Sequence, residues 1–184
     1  MELIGPYLAA CVLLVVAGTA KAVRPGDTVR AVVATIRLRP AAVRPLVRSV
    51  AAVETVLGIA GMARPSPLTA GLVAGSYLGF AVFVGVALAR GGPLASCGCF
   101  GTPDTPATRL HMVVDLVLAA SAAIVASTMP AEWLPRILAP EPWRGVPLVL
   151  VSALCAALTF LALTRLAELG AARRVLGIVR GGPA

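Results

Sequence analysis

The chain has 184 residues, 59% of them hydrophobic and 13% charged, with a mean hydropathy of +0.93. A soluble domain of this length has too little interior to hide that much apolar surface, so its main solvent is lipid. The formal charge of +8 then reads as arginines anchoring apolar runs at a membrane surface, and nucleic acid is not expected as a partner.

The first apolar run, residues 3–20, carries no charge and is long enough to span. Glu2 precedes it and Lys21 follows, the reverse of a signal peptide's charge order, so a retained helix is expected. A basic stretch comes next, with seven Lys or Arg between Lys21 and Arg48. Within it, "DTVRAVVATIRL" reads as a short interfacial helix whose arginines snorkel. A second span covers residues 45–63 and contains Glu54; a third, 65–89, is uncharged. The loop "RGGPLASCGCFGTPDTPATR" separates it from a fourth span, 110–129, for which Thr105 and Pro106 make a plausible start. A Pro/Trp-containing loop to Arg144 leads to a fifth span, 145–164, and a basic tail. The expected fold is all-α: a polytopic membrane helical bundle with a four-helix core in residues 1–130. Residues 131–184 supply a loop, the fifth span and a basic cytoplasmic tail.

Five spans put the two ends on opposite sides of the cell membrane. The face holding the basic stretch, the cysteine loop and the tail then carries 13 of the 16 Lys and Arg, against 3 on the other. That bias predicts the N-terminus outside, and the cysteine loop and C-terminus in the cytoplasm. Gly71, Gly75 and Gly79 recur every four residues, a small-residue ridge expected to admit a neighbouring helix closely. Gly58 and Gly61 lie near Glu54. Cys11 and Cys155, inside apolar runs, read as small packing residues.

Cys97 and Cys99, one glycine apart, can be half a metal site, an inert structural pair or a redox couple. Zinc needs about four ligands, and only His111 lies near in sequence, so no metal is expected. The redox reading is preferred. A thiol pair in a glycine-flanked loop is accessible to another thiol, and Gly98 permits the backbone distortion that so small a ring demands. His111 and Asp115, four apart, share one helix face near this loop. Either is a proton acceptor for thiol chemistry, or the two satisfy each other with Arg109. Glu54 is alone in its span, and Lys21 is its expected partner.

The pentapeptide "CGCFG" between the third and fourth spans, "AGTAKAVRPGD" after the first (Gly18, Lys21) and Glu54 in the second occur in that order. Together they resemble the MauE family of methylamine-utilisation membrane proteins, within the wider DoxX-like group, over roughly residues 5–130. The resemblance implies a helical bundle comparable to vitamin K epoxide reductase and DsbB-like thiol oxidoreductases. It further implies maturation of the disulfide-rich light subunit of methylamine dehydrogenase, with a thioredoxin-like partner. A fifth span and a basic tail follow the family's usual four helices. No cofactor is evident, and a quinone site has no readable signature. Three function classes stay open: a membrane thiol–disulfide component acting through Cys97 and Cys99, a non-enzymatic scaffold or maturation chaperone, and a small transporter built around Glu54.

Overall fold

The structure, a computed structural model, describes residues 4–36, 39–90, 109–128, 150, 152–159 and 161. Five helices follow one another: α1 (Ile4–Val23), α2 (Pro25–Ile36), α3 (Pro40–Ala63), α4 (Pro67–Ala89) and α5 (Arg109–Thr128). α1, α3, α4 and α5 are each long and apolar enough to cross a membrane. In hydrocarbon a backbone must satisfy its own polar groups, and a helix does so within one segment, hence an all-α chain. The protein is a multi-pass membrane helical bundle. Its outward side chains, among them Val53, Val56, Leu68 and Val82, are apolar and exposed, as a lipid-facing surface requires.

The helix starts are set locally. α4 begins at Pro67 because Ser66 caps it: Ser66 Oγ accepts from the Thr69 backbone N–H at 3.1 Å, and Thr69 Oγ1 accepts from the Ser66 N–H at 2.8 Å. That reciprocal box satisfies two backbone donors that a bare terminus leaves open. α3 starts at Pro40, in the first turn where a missing N–H costs nothing, and Pro45 lies inside the helix instead of opening it. The short helix expected in the basic stretch forms as α2. Its Val29 packs with Val43 and Val47 of α3, and its Ala31 with Ala87 of α4. Arg30 pairs with Asp27 on its exposed side.

α1 and α3 run antiparallel in close contact. A Cβ placed at Gly18 would lie 2.5 Å from Thr55 Oγ1 and 2.8 Å from the Ala51 carbonyl; one at Gly58 would lie 2.7 Å from the Cys11 carbonyl. Only glycine lets two backbones come this near. The ridge expected on α4 does not act this way. Gly71, Gly75 and Gly79 are exposed, and a Cβ at any of them would have no atom of the described residues within 4 Å. Their spacing is regular, but α4 turns Val73, Tyr77, Ala81 and Val84 inward instead. In lipid the choice of face follows interhelical packing and hydrogen bonding, and Tyr77 makes such a bond to the Ala10 carbonyl.

The main core gathers Tyr7, Cys11 and Leu14 of α1, Val73 and Tyr77 of α4, and Leu118, Ala122 and Val125 of α5. Two buried phenols cross between helices: Tyr7 donates to the Gly61 carbonyl at 3.2 Å and Tyr77 to the Ala10 carbonyl at 2.7 Å. Beyond α5, residues 152–159 are helical and Ala156 joins this core. The full extent of the expected fifth span and the tail lie outside the described residues. Cys11 is buried as expected, whereas Cys155 is exposed and does not fill space in the core.

One end of the bundle gathers several of these features. The Arg90 side chain, at the C-terminal end of α4, donates to the Thr35 carbonyl near the end of α2. At the same end, Met112 in the first turn of α5 approaches Gly85 of α4.

Candidate functional site

Lys21 ends α1 on its buried face, and Glu54 lies on the α3 face that meets α1. Both are almost fully enclosed, at 5% and 3% exposure. Lys21 Nζ donates to Glu54 Oε2 at 2.7 Å, so the two residues expected to pair are in direct contact. At about 1.5 Å of rise per residue, Glu54 sits about 9 Å along the axis from Arg48, the last exposed arginine of α3. Ions at such depth are costly and persist only when paired. The ammonium also lies 4.3 Å from the centroid of the Phe80 ring, whose π face attracts it. Tyr77 meets that ring edge-on, with centroids 5.7 Å apart and planes at 86°. Edge-to-face packing of this kind directs the positive rim of one ring at the face of another.

Compensation is incomplete on the carboxylate. Glu54 Oε1 is buried and has no hydrogen-bond partner among the described residues. A carboxylate has two oxygens to satisfy, and Lys21 takes only one. Asp115 of α5 stands within electrostatic reach of both Lys21 and Tyr77, which makes it a third member of this charge cluster. The cysteine loop that His111 and Asp115 are expected to serve lies outside the described residues. His111, one turn earlier, is buried at the α5 end that receives segment 91–108.

Cys97, Gly98 and Cys99 lie outside the described residues, as do Thr105 and Pro106. Among the described residues, no group of three or more His, Cys, Asp or Glu is placed to hold a metal ion. Sequence reasoning missed Tyr77 and Phe80. Both are ordinary aromatics in an uncharged span, and nothing in their spacing tells which face meets Lys21.

A family model described as "Methylamine utilisation protein MauE" matches residues 3–128. That match covers more than half of the chain and all four long helices of the described bundle. The chain belongs to the MauE family. Within its MauE region lie Lys21, Glu54, Phe80 and Asp115, together with Cys97 and Cys99; residues beyond 128, including helical 152–159, fall outside it. No curated protein and no solved structure matches the chain significantly.

Proposed function

We propose that this MauE-family protein is a membrane thiol–disulfide exchange component. Its partners are a thioredoxin-like protein or a client with disulfides, and it acts through Cys97 and Cys99. The observation that carries the reading is the Cys97–Gly98–Cys99 pair itself, which in the sequence falls between α4 and α5, two helices long and apolar enough to cross a membrane. In the reducing direction one cysteine thiolate attacks a partner disulfide. A mixed disulfide forms, and the expelled partner thiolate takes up a proton. The second cysteine thiolate then attacks the mixed disulfide, closing Cys97–Cys99 and releasing the partner's second thiol. Two electrons have passed from the pair to the partner; the reverse sequence oxidises a client. His111, at the α5 start beside this segment, is the proposed acceptor of the cysteine proton. The family's description makes methylamine utilisation the proposed context, and the light subunit of methylamine dehydrogenase, implied by the family resemblance, is the proposed client.

Cys97→Ser and Cys99→Ser, made separately, test this directly. One of them should accumulate a covalent adduct with a partner in acid-quenched cells, visible on a non-reducing gel and lost on reduction. Client maturation should fall to near background in both, and nearly as far in Gly98→Val. There both thiols remain, but a β-branched residue resists the ring's tightest backbone turn. If both serine variants mature client normally and the pair stays reduced in every condition, thiol exchange is ruled out.

The arginine bias puts segment 91–108 in the cytoplasm in this proposal. A membrane-impermeant maleimide applied to intact, pre-reduced cells should then leave Cys97 and Cys99 unlabelled, and label them after lysis. Labelling before lysis would invert the orientation.

A further inference from the structure

A cavity of about 240 Å³ opens beside the buried ion pair, between α2, α3 and α4. It exceeds the roughly 150 Å³ that lets an apolar protein cavity hold a benzene ring. Lys21 and Glu54 line it, and Phe80 and Phe83 contribute aromatic wall. Its other wall residues include Ile36, Leu46 and Val50, which are 51%, 55% and 45% exposed. The cavity is therefore enclosed at its charged end and open at an apolar rim, on the outer surface of a bundle whose surroundings are lipid. A water-soluble ligand would have to cross that rim; a membrane amphiphile already lies against it.

The charged end sets what the ligand's head must be. Glu54 Oε1 is a buried acceptor without a donor among the described residues, and an unmet carboxylate oxygen at this depth carries a desolvation penalty. A head group that donates one hydrogen bond removes the penalty. The neighbouring Lys21 ammonium repels a cationic head, while a second anion would compete with Glu54 for the same ammonium. A neutral hydroxyl meets both demands: its O–H donates to Oε1, and its oxygen lone pairs accept from the ammonium.

We propose that this cavity binds a neutral, hydroxyl-headed amphiphile taken laterally from the bilayer. The hydroxyl bridges Glu54 and Lys21, and the hydrocarbon body runs past Phe80 and Phe83 to the rim. The depth of Glu54, about 9 Å along α3 from Arg48, suits such a molecule, whose head lies just beneath the polar interface. This site stands apart from thiol exchange at Cys97 and Cys99, and its test needs no exchange activity.

The probe is 1-dodecanol carrying a mid-chain diazirine, with its methyl ether as the matched compound that cannot donate. The full-length protein in nanodiscs is irradiated with each, and labelled peptides are mapped by mass spectrometry. The alcohol should label peptides bearing Leu46–Glu54 and Phe80–Phe83 saturably, about five- to tenfold more than the ether, the range that a hydrogen bond made within a membrane protein supports. Glu54→Gln keeps the side-chain volume and still pairs with Lys21, but its amide can turn an N–H towards the head, which an ether oxygen also accepts. In that variant the preference for alcohol over ether should disappear. Val50→Trp, at the rim and clear of the ion pair, should abolish labelling by both compounds. Equal labelling of the unmodified protein by alcohol and ether overturns the proposal, as does labelling that does not saturate or that misses these peptides.

Discussion

Glu54→Leu is expected to destabilise the bundle by about 3 kcal/mol, because it takes the direct ion-pair partner from a buried ammonium and leaves only the more distant charge of Asp115. Lys21 is 5% exposed and its single described ion-pair partner is Glu54, so no water-facing rotamer comes free when the carboxylate goes. Contact with the Phe80 face offsets only part of the loss. Glu54→Gln should cost about 1 kcal/mol, since an amide oxygen still accepts from the ammonium. The double change Lys21→Met with Glu54→Leu should recover most of the loss, as replacing both members of a buried pair by apolar side chains often does. Unfolding in mixed detergent–SDS micelles, followed by helical circular dichroism, measures the unmodified protein, these three variants and Lys21→Met alone, which completes the cycle. A cycle that is additive to within about 0.5 kcal/mol would mean that the two side chains do not support each other.

Gly58→Val is expected to be as damaging, by about 3 kcal/mol or more, through overpacking. Its Cβ would fall 2.7 Å from the Cys11 carbonyl oxygen and 2.7 Å from Val15 Cγ2. The first of these is backbone and cannot rotate away, so α1 and α3 must separate, pulling Lys21 from Glu54. Gly18→Val meets the same obstacle at Ala51 and Thr55. By contrast, Gly75→Val on α4 should change stability by less than about 1 kcal/mol, since valine has a slightly better helix propensity than glycine and meets no neighbour. The same titration reads both substitutions. A loss at Gly75 matching that at Gly58 would show that the α4 ridge, too, is a helix contact.

How much of this was readable beforehand depends on which physical scale carried the information. Apolar runs of membrane length, broken by arginine and proline, were enough to place α1, α3, α4 and α5 to within a few residues and to raise α2 as an interfacial helix. Hydrocarbon imposes that outcome on any such run, whatever it packs against. Two lone opposite charges at membrane depth also implied each other, because neither Lys21 nor Glu54 is affordable alone. The family motif around Cys97 and Cys99 is likewise a property of the sequence, and it is what the functional proposal rests on.

Facing was not readable. Gly18, Gly58 and the α4 glycines are one residue type in similar apolar surroundings, and spacing favoured the wrong set. Only the helix rotations put Gly18 and Gly58 against backbone while Gly71, Gly75 and Gly79 turn outward. The same rotations bring Phe80 over Lys21, carry Asp115 into their electrostatic reach and set Glu54, whose Oε1 has no donor among the described residues, in the wall of a cavity. Each span is apolar nearly all round, so the hydrophobic pattern has no preferred side and gives rotation almost no signal. In lipid, where burying one apolar face is worth little more than burying another, rotation is settled by interhelical contact and hydrogen bonding, and those exist only once the helices have met.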